Sequence, residues 1–481
     1  MIRQQQPWMD RNLVPRLAWF TPLPPVRSGI AQYNVELLPS LASHYQIDLF
    51  VDGHPSERVH PDGTLVYNAH DFVWKHFRQP YHLVVYQLGN ASCHDYMWAY
   101  LARYPGLVVL HDGQLHHARA LSLLGQKRHD DYRSEFGFNH PDADIRVAEL
   151  GIWGLLGSLT YLWPMRRVVT QSARMVAVHN QWLADEIGED DPQARVVVVE
   201  MGVPAPESRP GASEAIRARH GIPADAVLFV AFGDVTPEKR IPQALQGLAS
   251  ILGAVPNVHL LLAGKAVAHY DLKVEARALG VMDRVTTAGF VPQEEVADYL
   301  AAADVCLCLR WPSSRETSAA WLRCLAAGRP TIVTDLVHTV DVPAYDPRTW
   351  TPLHAPTAIP DAREWPVPAE PACVSVDILD EDHSLKLAMH RLANDPRLRT
   401  RLGRRARALW AERFTLDRMV TRYREMIDGA CAAPMPDAAR RGRLPEHFRT
   451  SGTEHASRLL RQMGVPDARI GEIWTPGQAP P

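Results

Sequence analysis

The sequence predicts an α/β fold in which two doubly wound domains face each other across a cleft. Short apolar runs alternate with amphipathic helical segments in two successive series. The runs are apolar throughout, as expected for parallel strands that helices cover on both faces. A segment rich in Pro, Gly and Ser at 202–215 separates the two series. Because open α/β sheets bind ligands at the carboxyl ends of their strands, the cleft is the expected site.

The composition is that of a globular protein without an overall attraction to nucleic acid. The chain has 481 residues, of which 46% are hydrophobic and 22% charged, as in globular proteins. The 51 basic and 54 acidic residues give a net charge of −3, which argues against an overall attraction to nucleic acid. The first residues lack an apolar signal region, and the six cysteines form no CxxC pair. We therefore expect a cytoplasmic protein with reduced thiols.

The first series defines an N-terminal domain over residues 1–204. A helix is predicted after the first strand, over 30–45. The predicted strands are RLAWF (16–20), IDLFV (47–51), HLVVYQ (82–87), LVVLH (107–111), RMVAVH (174–179) and RVVVVE (195–200).

The second series defines a C-terminal domain over residues 205–411. The amphipathic segment 412–431 is predicted as a helix that returns to the N-terminal domain, and the Pro/Gly-punctuated tail 432–481 as poorly structured or peripheral. The predicted strands are AVLFVAFG (226–233), VHLLLAG (258–264), RVTTAGF (284–290), ADVCLCL (303–309) and PTIVTD (330–335).

An uncharged segment runs from Leu150 to Met165 and is too short to span a membrane as a helix. We predict a buried or cleft-lining helix. Its aromatic residues Trp153, Tyr161 and Trp163 leave open a contact with a lipid-linked substrate or the inner face of the membrane.

Two strand-to-helix turns carry candidate ligand-binding residues. No GxGxxG or GxxxxGK[ST] motif is present, so nicotinamide and P-loop functions lose their main support. Gly233 is followed by Lys239 and Arg240 at a helix start, where cations and free N–H groups favour phosphate. A first helical turn that is merely exposed to solvent would have the same sequence pattern. Phosphate binding and a solvated turn therefore both stay open as interpretations.

The stretch 309–335 is more informative. A strand ends at Leu309, and a polar loop then presents Glu316, Thr317 and Ser318 at the start of a helix. Free N–H groups there suit a diphosphate, and Glu316 can accept hydrogen bonds from sugar hydroxyls. Helix capping is the alternative use of these residues.

Further segments complete the pattern: GDVTPEKR, AGFVPQEEVADYLAAADVCLCL and AAGRPTIVTD in the second half, and TPLPPVRSGIAQYN, PGLVVLHD and ARMVAVHN in the first half. Together with these segments, the stretch resembles a retaining glycosyltransferase of family 4. The resemblance covers roughly 15–430. It implies the GT-B fold of two Rossmann-like domains. It also implies sugar transfer, with retention, from a nucleotide sugar to an acceptor hydroxyl in bacterial polysaccharide or glycolipid assembly. The acceptor would be a glycan or a lipid-linked molecule. The resemblance also implies that the reaction needs neither a metal nor another cofactor.

The resemblance also implies roles for individual residues. The implied catalytic residues are His111, near the transferred sugar, with Glu316 and Lys239. The implied donor-binding residues are Gly29, Gly233, Lys239, Arg240, Glu316, Thr317, Ser318 and Arg323. The acceptor-side candidates are His94, His179 and Asn180.

One position departs from the family pattern of two glutamates eight residues apart. Alignment on the Ala-Ala-Gly-Arg-Pro end puts Arg323 at the second glutamate, whereas alignment on Glu316 puts Cys324 there. A related subgroup has a Glu-Thr-Ser-Gly loop and an arginine in place of the second glutamate, and this chain resembles it with Ala319 for the glycine.

Two alternatives to a transferase remain open. The missing second glutamate would suit a non-catalytic GT-B protein that binds a nucleotide or a sugar, and another GT-B activity such as nucleotide-sugar epimerisation or hydrolysis also fits. A metal site at His111, Asp112, His116 and His117 lacks a recognisable ligand spacing, so no metal is predicted.

Overall fold

The computed structural model describes residues 14–267, 270–339, 341–353, 370–450, 454–466 and 469. Within them, fourteen strands form two separate seven-stranded sheets, and every strand pair in both sheets is parallel. The predicted α/β class, with two doubly wound domains, is confirmed.

The first sheet has the strand order β3-β2-β1-β4-β5-β6-β7. Its strands are β1 (Arg16–Phe20), β2 (Gln46–Val51), β3 (Thr64–Asn68), β4 (Leu83–Leu88), β5 (Leu107–Leu110), β6 (Met175–Val178) and β7 (Val196–Val198). Its helices are α1 (Gly29–Ala42), α2 (Asp71–Arg78), α3 (Met97–Arg103), α4 (His116–Gly125), α5 (His129–Asn139), α6 (Arg146–Ile152), α7 (Arg167–Ser172) and α8 (Gln181–Asp190).

The second sheet has the order β10-β9-β8-β11-β12-β14-β13. Its strands are β8 (Val227–Phe232), β9 (Val258–Ala263), β10 (Val285–Thr287), β11 (Val305–Cys308), β12 (Thr331–Thr334), β13 (Ala344–Tyr345) and β14 (Cys373–Val376). Its helices are α9 (Ala212–Arg219), α10 (Ile241–Ile251), α11 (Leu272–Ala278), α12 (Val296–Ala302), α13 (Ala319–Ala326), α14 (Glu381–Asn394) and α15 (Pro396–Arg413).

The remaining helices are α16 (Leu416–Ala432), α17 (Ala438–Arg441), α18 (Glu446–Arg449) and α19 (Glu454–Gln462). Helix α16 packs on α1: the hydroxyls of Tyr33 and Tyr423 lie 2.6 Å apart, and Tyr423 stacks on Trp19. Leu444 and Phe448 join the core of the N-terminal domain. Leu444 and Phe448 thus anchor the part of the tail around them on this domain, whereas most of residues 434–450 are exposed.

Central strands are buried along their whole length, which explains their continuous apolar runs: every residue of β1, β4 and β5 is buried. The edge strand β3 was not predicted, because Leu65 faces outward and its apolar run is interrupted.

The segment from Leu150 to Met165 differs from the predicted buried helix. Helix α6 ends at Ile152, a turn follows at Gly154, and a 3₁₀ helix spans Gly157–Leu162. Positive φ angles at both glycines break the α-helix. Trp153 and Leu162 are 68% and 67% exposed. No helix in the described ranges has the length and apolarity to cross a bilayer.

Candidate active site

A cleft of about 1320 Å³ opens between the two domains. From the N-terminal domain, the first turns of α8 line it. From the C-terminal domain, the carboxyl ends of β8, β11 and β12 and the loop before α13 line it. The cavity therefore lies at the edge of the sheets where the sequence predicted a ligand site.

Lys239 lies on the floor of this cleft, in the turn after β8. A 3₁₀ turn over Pro237–Lys239, capped by the hydroxyl of Thr236, brings its side chain back over Gly233. The Nζ donates a 2.8 Å hydrogen bond to the backbone oxygen of Phe232. Burial, with the charge of Arg310 second, lowers the pKa of Lys239 to about 8. The amine is therefore still largely charged at neutral pH and available to an anion.

The loop from Ser313 to Ser318 forms the opposite wall. Ser318 caps α13 by accepting from the backbone N–H of Trp321, and Thr317 lies beside it in the cavity. The carboxylate of Glu316 accepts from the Ser313 hydroxyl (3.1 Å) and pairs with Arg310 (2.7 Å). Glu316 thus points into the cleft in a fixed orientation.

This loop also joins the two domains. The backbone N–H of Gly113, just after β5, donates to the Ser314 carbonyl (2.7 Å). The side-chain amide of Asn180 donates to the Arg315 carbonyl (2.9 Å), and the Arg315 guanidinium pairs with Glu186 of α8 (3.1 Å). Asn180 therefore contacts the loop before α13, in addition to capping α8.

Arg240 and Arg323 are the two predicted donor-binding cations that do not line the cavity. Arg240 has a left-handed backbone (φ 56°), and its Nε lies 2.9 and 3.0 Å from the carboxylate oxygens of Glu381. Arg323 lies on the face of α13 toward α1 and pairs with Glu36 at 2.7 and 2.8 Å. Both guanidinium groups are neutralised by carboxylates, of which that of Glu381 is buried and that of Glu36 is half-buried.

His111 and His179 form a buried pair. Nδ1 of His179 donates to the Val199 carbonyl (2.8 Å), and its Nε2 lies 3.1 Å from Nδ1 of His111. Nε2 of His111 lies 2.7 Å from the side-chain amide oxygen Oε1 of Gln87, which can only accept a hydrogen bond. Burial lowers the pKa of His179 to about 4 and that of His111 well below its usual value. Both nitrogens of His111 are engaged by the protein, whereas His179 reaches the cavity wall.

Gly29 and His94 lie at the same edge of the N-terminal sheet. Gly29 begins α1 after Ser28, whose hydroxyl caps the helix, and no atom lies within 4 Å of its Cβ position. His94 is 1% exposed, and its Nδ1 donates to the Gln87 carbonyl (2.9 Å). Neither residue lines the large cavity.

The cavity also contains residues that sequence reasoning missed. Trp182 and His338 line it, and Arg413 pairs with Glu200 and Asp341 (2.6 Å each), which joins the strand-end segments of both domains. The only sequence signal for Trp182 and His338 is their position just after a predicted strand, and Arg413 lies at the start of the predicted helix 412–431. In the part of the chain that is described, no group of three or more His, Cys, Asp or Glu side chains is arranged to hold a metal ion.

Comparison with known proteins agrees with this geometry. Residues 212–342 match the family model described as Glycosyl transferases group 1. The D-inositol 3-phosphate glycosyltransferase of Thermobispora bispora is 31% identical over 179 residues, which are 33% of this chain and 41% of that protein. The chain spans less than half the length of the curated relatives it matches first.

Solved structures match over most of the chain. HepE of Anabaena in complex with UDP-glucose aligns with a TM-score of 0.59 at 13% identity, covering 86% of this chain and 99% of that one. WaaG, a glycosyltransferase involved in lipopolysaccharide biosynthesis, aligns with a TM-score of 0.55 at 14% identity, covering 86% and 99%. The chain thus has the fold of GT-B glycosyltransferase structures, and its residues 212–342 are similar to the glycosyl transferases group 1.

Proposed function

We propose that this protein is a metal-independent glycosyltransferase that moves a sugar, with retention, from a nucleotide sugar to an acceptor hydroxyl. The observation that carries the proposal is the convergence of Lys239, the start of α13 and Glu316 in one interdomain cleft. A cation and a helix N-terminus suit a diphosphate, and a fixed carboxylate suits sugar hydroxyls.

In the proposed reaction, the departing nucleoside diphosphate gains negative charge. Lys239 would move from the Phe232 carbonyl to a phosphate oxygen, and the N–H groups at Thr317 and Ser318 would supply further hydrogen bonds. Glu316, held by Ser313 and Arg310, would orient the sugar ring. The retaining outcome and the Glu-Thr-Ser donor-loop subgroup rest on the family resemblance.

We further propose a glycan or lipid-linked acceptor in polysaccharide or glycolipid assembly, with a peripheral membrane contact through the exposed segment around Trp153 and Leu162. Tyr161, in the same segment, lies close enough to Glu316 for that carboxylate to raise the pKa of its hydroxyl, with burial as the larger cause. The exposed apolar side chains of this segment suit a lipid-linked acceptor. WaaG acts in lipopolysaccharide biosynthesis, which is consistent with this class of acceptor.

The test begins with donor binding. UDP-, GDP-, ADP- and dTDP-glucose are added to the wild type, to Lys239→Ala and to the control Lys273→Ala, an exposed lysine of α11. The cognate donor should raise the melting temperature of the wild type and of the control but not of Lys239→Ala. An equal shift in all three proteins would refute the phosphate role of Lys239.

Turnover is measured next. Consumption of the bound donor should depend on an added acceptor mixture, and NMR of the product should show the anomeric configuration of the donor. If a nucleotide sugar binds but no donor is consumed with any acceptor mixture, the transferase proposal fails and a binding protein remains.

A further inference from the structure

Three cysteine side chains meet where strand β11 packs under helix α13. Cys306 and Cys308 lie two residues apart on β11 and therefore point to the same face of the sheet. Helix α13 covers that face and places Sγ of Cys324 3.9 Å from Sγ of Cys308. All three thiols are free. The two contacting cysteines are sixteen residues apart in sequence, so no local motif marks them as a pair.

Of these three thiols, that of Cys308 reaches the cleft. Cys308 is partly exposed and lines the cavity, whereas Cys306 and Cys324 are both 0% exposed. The difference follows from position, because Cys308 is the last residue of β11 and lies at the carboxyl edge of the sheet. Accessible cysteines react with oxidants, whereas buried structural cysteines are inert. A small oxidant that enters the cleft can therefore attack Cys308 before it attacks the other two.

The surroundings of Cys308 and Cys324 differ in the same sense. Lys239 shares the cleft floor with Cys308. Burial lowers the pKa of Lys239, whereas Cys308 is among the groups that raise it, so the amine and this thiol are close enough to interact. Reactive cysteines typically lie beside a cation in partly exposed positions. At Cys324, by contrast, hydrogen bonds with Cys306 and Cys308, followed by burial, raise the pKa of the thiol.

We propose that Cys308 and Cys324 form a redox-sensitive thiol pair, which a hydroperoxide entering the cleft converts into a disulfide between β11 and α13. The Cys308 thiolate attacks one peroxide oxygen. An S–O bond forms, the O–O bond breaks, and the other oxygen leaves as water or an alcohol with the proton that Cys308 released.

Cys324 completes the reaction from beneath the cleft. Its sulfur attacks the sulfenic sulfur of Cys308, so that an S–S bond forms and the S–O bond breaks. The hydroxyl leaves as water and takes the proton of the Cys324 thiol. The two sulfurs together lose two electrons, and the peroxide gains them. A reducing dithiol reverses the step by thiol–disulfide exchange.

The disulfide would disturb the wall of the cleft. An S–S bond is about 2.05 Å long, so the two sulfurs must approach each other by about 1.9 Å from their separation of 3.9 Å. Cys308 precedes the loop that carries Glu316, and Cys324 lies in α13, whose start is capped by Ser318. The bond therefore displaces segments that line the cleft. Its effect on nucleotide binding rests on the proposed function, whereas the thiol chemistry does not.

The experiment maps the oxidised cysteines in the folded protein. The reduced wild type is treated with hydrogen peroxide, free thiols are blocked with N-ethylmaleimide before digestion, and disulfide-linked peptides are identified by mass spectrometry. Cys324→Ala is treated in the same way in the presence of dimedone, which traps sulfenic acids. Cys431→Ser is the matched control, because Cys431 is also a partly exposed thiol but lies in α16. Melting temperatures show whether each variant is folded.

The wild type and Cys431→Ser should give peptides linked through Cys308 and Cys324, which dithiothreitol separates. Cys324→Ala should give no such link and should carry dimedone on Cys308. Titration calorimetry follows the one of UDP, GDP, ADP and dTDP that binds the reduced wild type. The oxidised wild type should bind it at least about tenfold more weakly, the size of one lost hydrogen bond to a charged group, and dithiothreitol should restore the affinity.

A folded wild type in which Cys308 remains a thiol after peroxide treatment would overturn the proposal. A link from Cys308 to Cys306, or a sulfenic acid that persists at Cys308 although Cys324 is present, would also overturn it. A disulfide that leaves nucleotide affinity unchanged would refute the effect on the cleft. If no nucleotide binds the reduced wild type, the proposed function fails instead, and the peptide map still decides the thiol chemistry.

Discussion

Replacement of Gly233 by alanine tests the geometry that holds Lys239 in the cleft. Gly233 has φ +95°, which L residues rarely adopt. A Cβ at this position would lie 1.8 Å from Nζ of Lys239 and 3.2 Å from its Cε. The flexible end of the lysine can move, but it then leaves the Phe232 carbonyl and the place proposed for the diphosphate.

The expected magnitude has two parts. The left-handed backbone costs an alanine about 1–2 kcal/mol. Loss of the 2.8 Å hydrogen bond from the charged Nζ adds about 1.5–3 kcal/mol, so stability should fall by about 2.5–5 kcal/mol. Gly280→Ala is the matched control, because Gly280 has φ +69° and no atom within 4 Å of its Cβ position. It should lose only the backbone contribution, about 1–2 kcal/mol.

The assay is urea unfolding of wild type, Gly233→Ala and Gly280→Ala, together with calorimetric titration of the nucleotide that binds the wild type. Gly233→Ala should bind it as weakly as Lys239→Ala, whereas Gly280→Ala should bind it normally. If Gly233→Ala is no less stable than Gly280→Ala and binds nucleotide like the wild type, the lysine does not depend on this glycine and the reasoning is wrong.

Three further expectations concern the domain contacts and the cleft. Arg323→Ala should cost about 1–3 kcal/mol because it leaves Glu36, 14% exposed, without its ion pair. The charge-swapped double variant, Glu36→Arg with Arg323→Glu, should recover most of this lost unfolding free energy. If the two substitutions cost additive amounts in urea unfolding, the pairing is contradicted. Gly202→Ala would place a Cβ 2.3 Å from the backbone oxygen of Thr415, so the melting temperature should fall measurably; an unchanged value would contradict the close approach. Because Lys239 has a pKa of about 8 and is charged only below it, nucleotide affinity should fall between pH 7 and 9. Lys239→Arg should flatten this dependence of nucleotide affinity on pH. A wild-type affinity that does not change between pH 7 and 9 would contradict the role given to the Lys239 charge.

The fold could be predicted largely from local patterns. Central strands such as β1 and β8 are recognisable because burial on both faces demands an uninterrupted apolar run. Two of the strands that were not predicted lie where this demand is weaker: edge strand β3 exposes Leu65, and β13 has only two residues. Strand β14 is buried along its four residues, and burial does not explain why its pattern was missed.

The candidate site could be predicted less completely. Lys239 and Glu316 follow strands at the carboxyl edge of the sheet, and the fold necessarily brings such positions to the cleft. The direction of each side chain depends on more distant residues. Arg240 is adjacent to Lys239 in sequence, but its left-handed backbone and the buried carboxylate of Glu381 turn it away.

The sequence by itself determined the two-domain α/β architecture, the approximate strand positions and the turns that carry Lys239 and Glu316. Its apolar periodicity and turn residues are properties of short segments, which is why they can be read without the fold. The tertiary structure decided the partners: Arg323 meets Glu36 across 287 residues of chain, His111 meets His179 across 68, and the loop of Asp112 meets the loop of Glu316. These contacts depend on how the two sheets pack and face each other, and no local pattern encodes that arrangement.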